Sequence, residues 1–368
     1  MHSVAAMRVL VGDDQPDVLE AARLLLKSGG HVAVTAGTPE AVLREARSQP
    51  FDLLLVDMNY ARDTTSGGEG LDLLEGLRAA GISAPVVVMT AWGSVDLAVQ
   101  AMRRGATDFV EKPWDNARLL DTIDQHGAQA RRARTDIEIA RTVQQKLLGR
   151  AGTAVRGLDY AGCCLPMGDV DVDYFDFLDT PDGELGIALA EVSGNGIAAA
   201  LLMAHVQAAL RSRTDLAGSP AALAQSINRV FWESSPTEQY ATLCYAVYDP
   251  LDRVLRYVNA GHSEPLVIRA EGSSETLDST GPPVGLFATW SGEERSVRLG
   301  SGDRVVMLSD GVLEAGLSAG REFGHAGVAR CCAANRGVSA QVLADRLLAS
   351  AAHLCADDDM TAVVLSVV

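Results

Sequence analysis

The chain has 368 residues, 48% of them hydrophobic, and a formal net charge of −17. That length and apolar content suit two or three domains with real cores and exclude a disordered chain. The acidic balance excludes a nucleic-acid surface, since the compact basic spots, Arg103-Arg104 and Arg131-Arg132-Ala133-Arg134, read as solvated helix faces rather than a recognition helix. In chain order, residues 8–11 read as a first strand, and Pro16 opens a helix that ends near Gly29-Gly30. Residues 32–34, 51–57, 86–90 and 108–110 read as four more strands, with helical stretches between them. This alternation predicts an α/β doubly wound parallel sheet covered by helices on both faces, with ligands bound outside the carboxyl ends of the strands.

The polar residues of this segment fall at those ends. Asp13-Asp14 follow strand one, Asp57 ends strand three, Thr90 ends strand four and Lys112 follows strand five. One acid at a strand end reads as a loop cap; five polar residues at such ends read as a site. Three carboxylates at one edge repel each other unless a cation shares them, and Mg²⁺ suits few carboxylates plus waters and phosphate oxygens. Lys112 would neutralise a phosphoryl group on Asp57, and the Thr90 hydroxyl would hydrogen-bond it. These residues resemble a two-component receiver domain over residues 7 to about 125. The resemblance implies that Asp57 is phosphorylated by a sensor histidine kinase and that Asp13 and Asp14 hold Mg²⁺ with the backbone carbonyl of Asn59. It also makes Thr90 and Lys112-Pro113 the switch hydroxyl and the Lys-Pro pair, and Phe109 the switch aromatic. The loop 59–70 is longer and richer in glycine than in the family and is expected to cover the acceptor face.

From Leu119 the apolar or small residues recur as Leu119, Ile123, His126, Ala130, Ala133, Ile137, Ala140 and Leu147, with Gln144 in the remaining slot. This heptad spacing predicts a long helix. Its weak seam suits a switchable parallel coiled coil and a homodimer; the alternative is a single amphipathic helix packed on its own domain. The expected domains are therefore 1–118, a linker helix 119–150, and 151–368.

The last segment loses the alternating rhythm. Strands are expected at 185–190, 305–308 and 362–365, helices at 198–211 and 220–232, and a hairpin at 240–248 and 254–258 around Asp249-Pro250. This pattern predicts an α+β domain of two sheets sandwiched between helices. Acids again sit beside strands: Asp173, Glu191, Asp310 and Asp358. Together they suit an all-oxygen cage for Mn²⁺ or Mg²⁺. Two such ions about 4 Å apart can activate water for in-line attack on phosphorus, with no cysteine or histidine nucleophile.

These acids lie in motifs that resemble the metal-dependent PPM protein phosphatases, in particular the bacterial sporulation and stress-response subgroup, over about residues 140–368. The motifs are Val143-Gln-Gln-Lys-Leu-Leu148, Tyr257-Val-Asn-Ala-Gly-His262, Thr280-Gly-Pro-Pro-Val-Gly-Leu286, Ser309-Asp-Gly-Val-Leu-Glu-Ala315 and Asp358-Asp-Met-Thr361. The resemblance implies that two ions are held by Asp173, Asp310, Asp358 and the Val192 carbonyl, with Glu191 where the family has a bridging Asp. Two further departures are Asp171-Val172 in place of Gly-Gly and Asn195 in place of His. Together these leave two expectations. One is a serine/threonine phosphatase under receiver control, acting on a phosphorylated anti-anti-sigma (STAS-type) protein in a partner-switching pathway. The other is a pseudophosphatase that binds a partner without catalysis.

A cytoplasmic location is expected. No apolar run approaches the ~18 residues that span a bilayer, and the first residues lack a charged and then apolar signal pattern. The six cysteines include no CxxC pair and read as reduced thiols.

Overall fold

The computed structural model describes residues 6–60, 67–91, 95–147, 153–168, 170–236, 238–354 and 358–368. It divides into two compact units, Met1–Asp136 and Ile137–Val368.

In the N-terminal unit, short β-branched runs form β1 (Arg8–Gly12), β2 (Val32–Ala36), β3 (Leu53–Asp57), β4 (Val86–Ala91) and β5 (Asp108–Lys112). Between them lie α1 (Pro16–Ser28), α2 (Pro39–Ser48), α3 (Gly68–Ala79) and α4 (Val95–Arg103). Proline starts α1 and α2, where its missing N–H costs nothing. The Thr38 hydroxyl accepts from the Ala41 N–H at 3.2 Å and caps α2. All pairings are parallel, in the order β2-β1-β3-β4-β5. On β3, Leu53 and Leu55 join one core while Leu54 and Val56 join the other. Such burial on both faces is what a helix-covered parallel sheet requires.

One long helix follows, α5 (Asn116–Leu147). Its start is not a free seam. Leu119 and Ile123 are fully buried in the core of the N-terminal unit. His126 Nε2 lies 3.0 Å from Asp108 Oδ2, and Arg131 donates to Asp52 Oδ2 at 2.8 Å. A Cβ on Gly127 would stand 2.3 Å from the Met7 sulfur. The seam's first two heptads therefore pack on their own unit. Farther along, Ile139 and Val143 are 57% and 51% exposed.

The C-terminal unit pairs its strands mostly antiparallel. The first sheet, in the order β13-β10-β9-β8-β7, holds β7 (Asp173–Asp179), β8 (Leu185–Val192), β9 (Ala241–Asp249), β10 (Val254–Ala260) and β13 (Arg295–Arg298). The second, in the order β12-β11-β14-β15-β6, holds β6 (Leu158–Leu165), β11 (Leu266–Ile268), β12 (Ser274–Thr276), β14 (Arg304–Leu308) and β15 (Met360–Val367). Phe175, Ile187 and Ala246 of the first sheet meet Val305, Met307 and Val363 of the second in one core. The first sheet's other face packs on α6 (Gly196–Ser212) and α7 (Pro220–Ser234). The second sheet's other face packs on α8 (Asp310–Leu313), α9 (Gly324–Ala334) and α10 (Ala340–Ala352). Two sheets between helical layers is the architecture the sequence predicts. Cys163, Cys164, Cys244, Cys331 and Cys332 are free thiols; Cys355 lies outside the described residues. No helix among the described residues is long and apolar enough to cross a membrane.

Gly70 on α3 rests against the β3 exit: a Cβ there would stand 2.5 Å from Met58 Cα and 2.7 Å from Met58 O. Backbone cannot step aside as a side chain can, so Gly70→Ala is expected to destabilise the N-terminal unit by about 1–3 kcal/mol. Denaturant unfolding reads this, and an unchanged midpoint would refute the close approach.

Candidate functional site

In the N-terminal unit the strand order reverses between β1 and β3, and Asp13 and Asp57 end up on either side of that switch point. Asp13 is fully buried and Asp57 and Thr90 nearly so. Carboxylate oxygens of Asp13, Asp14 and Asp57 all lie within 4.8 Å of one another. Lys112 reaches in from the end of β5, its Nζ 2.5 Å from Asp13 Oδ2 and 2.9 Å from Asp57 Oδ2. Burial pushes the Asp57 carboxyl above its ordinary value; Lys112 opposes this and Asp13 adds to it. One ammonium cannot balance three carboxylates, so the cluster fits a divalent cation such as Mg²⁺, held by Asp13, Asp14 and Asp57. Asn59 follows with its side-chain Oδ1 buried and without a hydrogen-bond partner. The Phe109 ring is 39% exposed. Residues 61–66, the centre of the loop expected to cover this face, lie outside the described residues.

In the C-terminal unit, antiparallel register does the assembling. Asp173, the first residue of β7, is the direct partner of Glu191 on β8. Neighbouring β14 and β15 bring in the other two acids, because Asp310 follows β14 and Asp358 precedes β15. Gly311 allows their close approach: a Cβ there would stand 2.2 Å from Asp359 O. A cleft of about 350 Å³ opens beside Asp310, Gly311, Glu314 and Asp358.

The electrostatics show what this crowding costs. Burial, then Asp310, Asp173 and Asp358, push the Glu191 carboxyl up to about 9. Burial, with Asp359 and Asp310 adding, pushes Asp173 up to about 8. Asp310 is raised by burial, Asp358 and Glu314. Asp173 Oδ2 and Asp171 Oδ1 are buried without hydrogen-bond partners. Unpaired oxygens among mutually repelling acids fit divalent cations, held by Asp173, Glu191, Asp310 and Asp358, with Val192 buried at the end of β8 beside Glu191. Among the described residues these acids do not close to within 4.8 Å as the N-terminal three do.

The structure gives the departures from the family a physical setting. Arg253 is the only non-glycine residue with positive φ among those described, so the backbone at Asp171-Val172 does not require glycine. Asn195 is the exposed N-cap of α6, and its side chain makes no cap bond.

Asp359 carries a role that sequence reasoning missed. It is buried, and its carboxylate accepts from the N–H groups of Met167 at 2.7 Å, Gly168 at 3.2 Å and Val172 at 3.0 Å. It therefore holds the segment that delivers Asp173. Its place beside Asp358 was visible in sequence; its partners, some 190 residues away, were not. Gln144 of α5 grips the same segment, accepting from the Asp171 N–H at 3.0 Å and donating to its carbonyl at 2.7 Å. His262 is buried at 2.8 Å from the hydroxyl of Thr242, the register partner of Glu191; burial lowers it to about 4, so it is neutral.

Residues 181–368 match the family described as Stage II sporulation protein E (SpoIIE), and residues 9–124 match the response regulator receiver domain. The phosphoserine phosphatase RsbU of Bacillus subtilis is 29% identical over 182 residues, 49% of this chain and 54% of that protein. The response regulator protein FleR of Pseudomonas aeruginosa is 37% identical over 121 residues, 33% of this chain and 24% of that protein. The chain thus spans about half the length of the first relative and a quarter of the second. The SiaA-PP2C domain of Pseudomonas aeruginosa shares the fold, with TM-score 0.56 and 19% identity over 65% of this chain and 98% of that one.

Two outcomes are expected of the C-terminal site. Between pH about 5 and 9 the folded, metal-free protein holds protons on Asp173 and Glu191 that the unfolded chain, with ordinary carboxyl values near about 4, releases. Stability in chelator should therefore fall as pH rises through that window, and Asp173→Asn with Glu191→Gln should flatten the fall in melting temperature. A slope unchanged in the double variant would refute the crowding. Asp359→Asn should weaken Mn²⁺ binding about 10- to 100-fold by freeing the Asp173 segment, as measured by calorimetry.

Proposed function

The chain belongs to the stage II sporulation protein E family and carries a receiver domain, and from that premise we propose that phosphorylation of Asp57 controls a serine/threonine phosphatase built on Asp173, Glu191, Asp310 and Asp358. The observation that carries the reading is the acid set itself. Four carboxylates from four strand ends are pressed together so that two are pushed to about 8 and 9, an arrangement with no benefit to stability. Divalent Mn²⁺ or Mg²⁺ at such acids would supply charge neutralisation for the phosphoryl group and activation of water. The Glu191 substitution keeps the charge, and its position opposite Asp173 keeps it inside the constellation.

In the receiver, a sensor histidine kinase would deliver the phosphoryl group to an Asp57 oxygen. Lys112, already 2.9 Å away, would pair with the new charge, and the Thr90 hydroxyl would donate a hydrogen bond to the phosphoryl group. Coupling would run along α5, because Gln144 near its end holds the backbone two residues ahead of Asp173. The exposed Ile139 and Val143 suit a homodimer formed through the same helix. The substrate in this reading is a phosphorylated anti-anti-sigma (STAS-type) protein in a partner-switching pathway, in keeping with the likeness to a phosphoserine phosphatase.

A second reading rests on Glu191 and Asn195: a binding domain without catalysis, switched by the receiver. A phosphoserine-peptide assay with excess Mn²⁺ separates the two. Wild-type turnover should fall about a hundredfold or more in Asp310→Asn and should change with beryllofluoride only while Asp57 is intact. Silence in wild type together with rescue by Glu191→Asp would favour the binding domain.

A further inference from the structure

A second polar cleft lies away from the acids, on the helical layer of the C-terminal unit. It has a volume of about 510 Å³ and lies between the end of α6, one side of α7 and the 288–290 loop. Arg213, Gln225, Ser226, Arg229, Thr289 and Trp290 line it. Arg213 is the C-cap of α6, and α6 begins just beyond Ser193-Gly194. Seventeen helical residues separate that beginning from Arg213, a rise of about 25 Å, so Arg213 lies far from Glu191.

Three observations make this a built site. In a chain of net charge −17, it gathers two guanidinium groups that, among the described residues, have no carboxylate partner. Ser226, on the inner face of α7, is only 8% exposed, and its hydroxyl has no hydrogen-bond partner. An orphaned buried hydroxyl costs stability unless something reaches it. The opposite wall is also fixed in place. Asn228 donates to Phe287 O at 3.0 Å and accepts from the Gly285 N–H at 2.8 Å, and Trp290 Nε1 donates to Pro282 O at 2.8 Å. The Trp290 ring is closed off by Gly281 and Gly292, so it forms a wall rather than a stacking platform.

We propose that this cleft binds a small non-aromatic oxyanion, a phosphoryl- or carboxylate-bearing molecule, between Arg213 and Arg229 with the Ser226 hydroxyl donating to it. Its volume lies in the small-ligand range, and paired guanidinium forks are the side chains suited to such groups. A hydroxyl so deeply set is reached by a group that enters the cleft, not by a flat protein surface.

Calorimetric titration of the full chain in chelator tests this, with inorganic phosphate, pyrophosphate and malonate as separate ligands. At least one is expected to bind. Arg213→Gln and Arg229→Gln should each weaken it about tenfold or more. Ser226→Ala should weaken it too, while leaving the melting temperature without ligand unchanged or raised, since no existing bond is lost. Tighter binding of the phosphates assigns a phosphoryl ligand, and tighter malonate a carboxylate; both support the site. No binding of any of the three at about 10 mM, or affinities equal in wild type and all three variants, would overturn it.

Discussion

Asp173 and Glu191 face each other across the β7–β8 ladder, so their carboxyl groups share one face of the sheet. Direct like-charge pairs across strands are destabilising, and here Asp310 adds to both. The surrounding structure is arranged to hold this unfavourable pair in place. Buried Asp359 ties down the segment ahead of Asp173, and Gly311 lets Asp310 approach the 358–359 backbone. The N-terminal unit meets the same constraint on a parallel sheet, where Lys112 bridges Asp13 and Asp57. Both units thus keep acids crowded together.

The departures from the family pattern look different once placed in this setting. Asp171-Val172 replaces two glycines, yet the backbone there stays in regions open to any residue. Val172 is buried and its N–H is spent on Asp359. The substitution therefore adds packing without strain. Asp171 adds another carboxyl raised by burial and by Asp359. The chemistry of the site then turns on Glu191, whose extra methylene changes reach and not charge.

The long helix shows where periodicity misleads. A regular spacing of small and apolar residues reads as one continuous seam, but α5 uses that stripe for more than one task. Leu119 and Ile123 fill the core of the N-terminal unit, and His126 pairs with Asp108. Gln144, in a seam slot by spacing, instead holds the backbone of Asp171. A heptad pattern records that a face is buried and does not record against what.

Much of the fold was legible because its signals are local. The alternation of five strands with helices, the carboxylates at strand ends and the hairpin around Asp249 each lie within a few residues. Even so, β6, β7, α9 and α10 escaped notice: polar residues and cysteines break up the strands, and the two helices are rich in alanine and weakly patterned. Which residues bear charge, and that those charges stand at element ends, could be read from composition and short-range periodicity alone. Folding alone sets Asp173 opposite Glu191, brings Asp359 to a segment some 190 residues away, and gathers Arg213, Ser226 and Arg229 in one cleft. Those facts depend on strand register and helix packing between distant parts of the chain, which no local pattern encodes.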